Sequence, residues 1–497
     1  MAIRCKNLFK DTQPSAGPWR ARALLLAIVA ILLSGCSMAT QDLKTPLAVP
    51  AQFSESGTSP LPDKWWESLE DPVLSGLIDQ ALANNFNLKT SWDRLNQAEA
   101  MARSVGADLF PSLDAEVENS RNRFREDGET DEGHNYSLGL SASYELDLWG
   151  RIRSSRDAAA FEAQASAQDL QAAALTLSAQ VAGTWYQLVE QYGQLDILSE
   201  QIVTNNQVLE LVTLQFRTGQ VGIADMLQQR QLVESNQGEK TQVAAQAKVL
   251  EHQLAILLGF APGQLAIPRD TTLIDLPTMP ETGLPAELIK HRPDIRSAYC
   301  TVQAADRDLA AAIADRFPRL SLTTGVDTSG VHTRDLFDNW LATLAANLVT
   351  PIIDGGLRKA EVDRTRAVAS EALHTYGQTI LDALGEVEDA LAQEQHQRDF
   401  IASLDKQLTL AVQVIERVRD RYLQGTMDYQ RVLDALLSQQ TLQCSLLTAR
   451  RYLVQDRIDL CRALGTGWAL EQPKQNQSNT STTIGKNVLS LDGRTSG

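Results

Sequence analysis

Cysteine is scarce in this 497-residue chain. Its five residues, Cys5, Cys36, Cys300, Cys444 and Cys461, are too few for a disulfide scaffold and form no Cys-x-x-Cys. Histidine is equally thin: His134, His252, His291, His332, His374 and His396 include no pair at helical ligand spacing. Neither a GxSxG elbow nor a phosphate-binding loop is present, so the sequence supports no enzyme and needs no cofactor. Basic charge is short as well, with 45 Lys+Arg against 62 Asp+Glu and a net charge of −17, which argues against a nucleic-acid partner. Glycine (29) and proline (17) are near ordinary usage, excluding collagen-like and wholly disordered chains. No apolar run reaches the roughly 20 residues of a membrane-spanning helix.

The longest apolar run, Ala23 to Leu33, follows Arg4, Lys6, Lys10, Arg20 and Arg22 and leads into Leu33-Ser34-Gly35-Cys36. A basic region, a short apolar region and small residues before a cleavage point read as a secretory signal over 1–35. A cysteine directly after Ser-Gly resembles the bacterial lipobox, whose cysteine is lipidated and becomes the mature N-terminus. Cys36 is therefore the expected lipid attachment site, opening an extended segment over 36–64. Ser37 stands where an aspartate would hold a lipoprotein at the inner membrane, which favours the outer membrane.

The rest of the chain is written twice. Phe110-Pro111-Ser112-Leu113 recurs as Phe317-Pro318-Arg319-Leu320, 207 residues later. Gly219 matches Gly425, and Leu258-Gly259 matches Leu464-Gly465, both at an offset of 206. Landmarks kept at one offset over so long a stretch mark a tandem duplication. The copies are expected over 65–259 and 286–465, with a proline-rich linker over 260–285 and a polar, disordered tail over 466–497.

Each copy repeats one order of elements. A helical segment, 72–109 or 286–316, runs to the Phe-Pro pair, where proline stops it. Strands are expected over 111–124 and 136–148 in the first copy, within a hairpin spanning 111–148. In the second copy they are expected over 319–329 and 340–352, a pair spanning 319–352. Tyr136, Leu138, Leu140, Ala142, Tyr144, Leu146 and Leu148 alternate with Ser137, Gly139, Ser141, Ser143, Glu145 and Asp147, a period of two with one apolar and one polar face. Arg125 to Asn135, charged and turn-rich, reads as the connecting loop. Long helical hairpins follow over 151–258 and 357–464. Ile401, Leu404, Leu408, Ala411, Ile415, Val418 and Tyr422 step by three and four along the second, a coiled-coil seam. A helix of this length would run about 100 Å.

Strands of this length suit a bilayer, which takes about 9–11 residues per tilted strand. Aromatic residues near their ends, Phe124, Tyr136, Trp149 and Trp340, suit the interfacial girdles of a membrane barrel. Four strands cannot close, and an open edge cannot sit in hydrocarbon, so chains must pool strands. Three chains would give twelve strands around a lumen.

These features together resemble the outer-membrane factors of tripartite efflux pumps, the TolC-like family, in its lipoprotein branch associated with resistance-nodulation-division pumps. The resemblance rests on Cys36; Trp65-Trp66 with Asp71-Pro72; Tyr144-Glu145-Leu146-Asp147-Leu148-Trp149-Gly150-Arg151; Arg292-Pro293-Asp294-Ile295-Arg296; Asp354-Gly355-Gly356; and Leu464-Gly465 before Gly467-Trp468. Tyr299 departs from it, standing where an acidic residue is usual. The resemblance implies a mixed, mainly helical fold with membrane strands. In it a homotrimer forms a 12-stranded outer-membrane β-barrel above a long α-helical coiled-coil barrel in the periplasm. It also implies a passive exit duct for small toxic compounds. The duct would be served by a periplasmic adaptor and an inner-membrane pump, either of the resistance-nodulation-division class or a major-facilitator partner.

By the same resemblance, the turns at Gly219 and Gly425, with Arg217 and Thr426, are the periplasmic tips that meet the adaptor. Asp434 matches an aspartate that narrows the closed tunnel in relatives. Arg431, three residues earlier, stands where some relatives carry a second aspartate; it is placed either to pair with Asp434 along the helix or to bridge to a neighbouring subunit and lock the tip shut. Asp225 is a weaker candidate for the same region. Two other readings remain at this stage: an exit duct for a secreted protein in type I export, and a lipid-anchored coiled-coil scaffold that conducts nothing.

Overall fold

The computed structural model describes residues 47–470 except 127, 128, 265, 266, 270, 466 and 469. The expected signal segment, Cys36 and most of the expected tail lie outside the described residues. After a short 3₁₀ turn at Trp65–Leu69, the chain runs α1 (Pro72–Asn84), α2 (Phe86–Ala107), β1 (Ser112–Glu126), β2 (Glu129–Leu146), α3 (Arg151–Arg217) and α4 (Ile223–Leu257). It then continues as α5 (Pro285–His291), α6 (Pro293–Ala314), β3 (Arg319–Gly330), β4 (Trp340–Val349), α7 (Leu357–Leu423) and α8 (Tyr429–Leu464). The helices α3 and α7 are both 67 residues long and start 206 residues apart, so the duplication is visible in the elements themselves. Among the described residues no helix is long and apolar enough to cross a membrane.

The compact units do not follow the duplication, because each draws on both copies. One comprises residues 98–164 and 299–377; the other comprises 49–97, 165–298 and 378 onward.

The first unit contains a four-stranded antiparallel sheet in the order β1-β2-β3-β4. Tyr136 pairs with Asn119 on one side and Gly330 on the other, and Leu140 pairs with Ala115 and Val326. Three strand expectations are corrected here. The segment 125–135 is not a loop: β1 and β2 stay paired to Glu126 and Glu129. Backbone pairing does not require apolar side chains, and Arg121 and Arg123 both meet Glu132 across the strands. The strand expected to reach Leu148 ends at Leu146 because the Asp147 carboxylate turns to accept the backbone N–H groups of Ile152 and Arg153, capping α3. The strand expected to 352 ends at Val349, just before Pro351, which has no N–H for the ladder. Tyr299, the departure noted above, lies with its ring 5.7 Å from that of Tyr376.

The second unit holds the main core. Trp65, Trp66, Leu74, Ile78, Trp185, Tyr186, Leu254, Ile458 and Cys461 are all buried in it. Asp71 organises one edge. Its Oδ1 accepts the N–H groups of Val73 and Leu74 and so caps α1, while Oδ2 accepts Trp185 Nε1 at 3.0 Å and Tyr186 Oη at 3.2 Å.

The first helical segment breaks at Asn85. Its side chain caps α2 through Leu88 N–H and donates to the Leu257 carbonyl at 2.9 Å. The segment expected over 286–316 likewise breaks at Arg292, whose ψ of 124° is the extended conformation that a following proline favours. Arg292 is buried and donates to Asp294 and to the Ala463 carbonyl. The proline-rich linker docks as well: Arg457 Nη1 donates to the carbonyls of Pro277 and Thr278.

Candidate functional site

The two helical tips have the same construction. At the end of α3, Gly219 takes φ +77°, its N–H donates to Phe216 O, and Gln220 N–H donates to Gln215 O. At the end of α7, Gly425 takes φ +69°, its N–H donates to Tyr422 O, and Thr426 N–H donates to Arg421 O. Both are Schellman motifs, in which the residue past the helix must be left-handed and so is glycine. Arg217 is the last residue of α3 and is exposed; the Thr426 hydroxyl donates to Arg421 O at 3.0 Å.

Beneath the tips one apolar cluster joins the two copies. It includes Val212, Leu232, Tyr429, Leu433 and Leu436, with Ile415 and Tyr422 against it. Tyr422 Oη donates to Gln215 Oε1 at 2.6 Å, and the Tyr422 and Tyr429 rings meet edge-on at 5.7 Å. Burial, followed by the negative charge of Asp225, pushes the Tyr422 hydroxyl above its ordinary range. Sequence reasoning placed Tyr422 on the seam but missed this role. A tyrosine at the last seam position before a tip glycine was the available signal.

Asp225 is the N3 residue of α4, and its Oδ2 accepts the Gly222 N–H at 3.1 Å. It therefore caps a helix close to the two tyrosines. Asp434 and Arg431 are both exposed on α8. Among the described residues no ion pair joins them along the helix; Gln430, one turn before Asp434, donates Nε2 to its Oδ1 at 2.8 Å. Among the described residues no ion pair joins Asp434 to a base within the chain, so its carboxylate stays available at the surface.

In the sheet, one face carries Leu138, Leu140, Ala142, Val326, Leu344 and Leu348, a largely apolar stretch with aromatics towards its ends. Tyr136 stands in β2, and Trp340, 72% exposed, opens β4 opposite Thr328. Trp149 lies beyond the other end of β2, stacked on Phe317 at 4.9 Å and donating Nε1 to Pro318 O at 2.8 Å. Phe124 stands in β1. Position 124 pairs with position 131 of β2.

The model of the outer membrane efflux protein family matches residues 77–260 and again 284–466. The pyoverdine export outer membrane protein OpmQ of Pseudomonas aeruginosa is 32% identical over 467 residues, covering 90% of this chain and 97% of its own. The cation efflux system protein CusC of Escherichia coli strain K12 is 29% identical over 454 residues, covering 89% of this chain and 99% of its own. Among solved structures, the outer-membrane channel OprN superposes with a TM-score of 0.81 at 25% identity, covering 87% of this chain and 100% of that one. With both copies matched and relatives similar from end to end, the chain belongs to the outer membrane efflux protein family, whose members are outer-membrane channels.

Proposed function

We propose that three copies of this chain assemble into the passive exit duct of a tripartite efflux pump, carrying small toxic compounds outward. The observation that carries the reading is the four-stranded sheet, which is open at β1 and β4 and apolar on one face. Leu113, Val117, Leu140, Leu344 and Leu348 lie exposed on that face, where a lone chain in water would gain nothing from them. Neither edge can remain unpaired in hydrocarbon, since each bare backbone group costs several kcal/mol there. Pooled four at a time, the strands of three chains close a twelve-stranded barrel, and the helical hairpins supply the tunnel in the periplasm.

The finer assignments belong to the same proposal. Residues 1–35 address the chain, and Cys36 carries the lipid. The copies 65–259 and 286–465 each supply one strand pair and one helical hairpin. The tips at Gly219 and Gly425, with Arg217 and Thr426, meet the adaptor, whose inner-membrane partner pump supplies the energy. Asp434, which has no ion-pair partner among the described residues, forms a threefold acidic ring that seals the resting tunnel, with Arg431 placed to bridge to a neighbouring copy and Asp225 shaping the tip. Relatives named for pyoverdine export and for cation efflux are similar to nearly the same degree. That supports a duct whose cargo is selected by the pump.

The test is the protein mass of the detergent-extracted particle by light scattering, followed by single-channel conductance. Three conducting chains are expected; a folded monomer would overturn the reading. Asp434→Ala should then raise conductance, and an unchanged value would remove Asp434 from the seal.

A further inference from the structure

The charge of the β1–β2 hairpin is sorted by face. On the apolar side of the sheet the successive cross-strand pairs are Leu113 with Ala142, Ala115 with Leu140, Val117 with Leu138 and Asn119 with Tyr136. The same side then continues as Arg121 with His134, Arg123 with Glu132 and Arg125 with Thr130. The face changes from apolar to basic one step past the aromatic level. The opposite parity holds Asp114, Glu116 and Glu118, and the register positions of Glu129 and Asp131 fall there too. β3 ends at Gly330, opposite Tyr136, and β4 begins at Trp340, so beyond this level β2 is no longer paired to β3.

We propose that Arg121, Arg123, Arg125 and His134 form a docking surface for the phosphorylated headgroups of a glycolipid in the outer leaflet. The inference rests on the membrane orientation given under the proposed function. At about 3.4 Å per residue, Arg121, Arg123 and Arg125 stand about 7, 14 and 20 Å past Asn119 along the strand. A tilt of about 40° brings these to roughly 5–16 Å above the apolar band, the depth of the headgroup layer and what lies beyond it. Arginine suits that layer, because its planar fork binds two phosphate oxygens at once.

Glu132 accepts from Arg121 at 2.6 Å and lies 3.3 Å from Arg123, which sets the two guanidinium groups side by side and neutralises one charge. Both arginines remain 63% and 70% exposed. Solvation alone gives no reason for sorting, since a charged hairpin in water is equally soluble with its bases on either face. A phosphate-bearing surface on the lipid side does give one.

The test uses the full-length protein in uncharged detergent, mixed with bisphosphorylated lipid A or with the same glycolipid after enzymatic dephosphorylation. Retained glycolipid is counted by native mass spectrometry. A basic residue near an anionic surface is worth about fivefold in affinity, so R121Q/R123Q/R125Q should lose about a hundredfold. R121K/R123K/R125K should stay within about tenfold of the parent, and the dephosphorylated glycolipid should not be retained. Equal retention by the glutamine variant, or equal retention of the dephosphorylated glycolipid, would overturn the proposal. Displacement by millimolar inorganic phosphate would mean an adventitious anion site and overturn it as well. Each sample is also checked for three conducting chains. A conducting trimer without retention sinks this inference alone, whereas a non-conducting monomer sinks the channel reading beneath it.

Discussion

The Arg457 guanidinium donates two hydrogen bonds to the Glu394 carboxylate, with Nη2 2.6 Å from Oε1 and Nε 2.9 Å from Oε2, and both side chains are essentially inaccessible to water. The pair joins α8 to α7, and the remaining Arg457 donors hold the linker carbonyls of Pro277 and Thr278. Removing Arg457 leaves the buried Glu394 with only the half-exposed Arg398, 2.7 Å away, as a partner. Arg457→Met should therefore cost about 3 kcal/mol, read as a lowered urea midpoint. Arg457→Met with Glu394→Leu should recover most of that loss, because the desolvated charge disappears with the second substitution. A double variant no more stable than the single would show that the linker bonds, not the ion pair, carry the effect.

Two carboxyls near this pair titrate in opposite directions. Burial pushes Glu394 up, but the hydrogen bonds and charge of Arg457 and then Arg398 outweigh it and hold the group below the ordinary carboxylate range. A depressed acid stabilises the fold above its unfolded value and loses that contribution as pH falls through its folded value. Asp456 is pushed up to about 6 by burial, then by the charges of Asp459 and Glu394, against the opposing pull of Arg451. A raised acid favours the fold most below its unfolded value, and the advantage disappears as pH rises through 6. Asp456→Asn should thus stabilise the protein by about 1–2 kcal/mol near pH 8 and change little near pH 4. Unfolding midpoints at the two pH values check this, and a loss near pH 8 would mean that Arg451 dominates instead.

Periodicity and repetition were legible in the sequence. The 206-residue offset reappears as two 67-residue helices and two identical tip motifs. The seam residues Ile401, Leu404, Leu408, Ala411, Ile415, Val418 and Tyr422 are buried or half-buried, and their immediate neighbours, Val412 excepted, are exposed. Features set by partners distant in sequence were not legible. Nothing local marks Asp147 as a helix cap rather than a strand residue, or Asn85 as a helix break tied to Leu257. The charged hairpin was misread for a related reason: composition reports solvation, whereas strand pairing depends on backbone groups present in every residue. Asp434 and Arg431 have helical pairing distance, yet Gln430 is better placed on the same face.

The tip glycines separate conformation from contact. A Cβ at Gly219 or Gly425 would meet no atom within 4 Å, so substitution there costs only backbone strain. Gly425→Ala should cost about 1 kcal/mol, and Gly425→Asn less, because asparagine tolerates the left-handed region. Thermal unfolding ranks the two. An alanine variant as costly as a core truncation would mean that the tip packs against another chain.

Between the tips and the main core the two copies meet through amides rather than methyl groups. Asn205 and Gln440 bond each other in both directions, at 3.0 and 3.3 Å, and both are buried. Gln229 adds a bond to the Asn205 carbonyl at 2.7 Å and accepts from Tyr429 Oη at 2.6 Å. Such a network contributes modestly when complete and costs most when halved, since each orphaned amide is penalised by about 1–3 kcal/mol. Asn205→Leu should destabilise the protein by about that amount, and Asn205→Leu with Gln440→Leu by clearly less. A polar residue in a helical seam is also known to fix register. If it does so here, the double variant should unfold over a broader transition than the parent at similar stability. An equally sharp transition would show that the apolar cluster of Val212, Leu232 and Leu433 already sets the alignment.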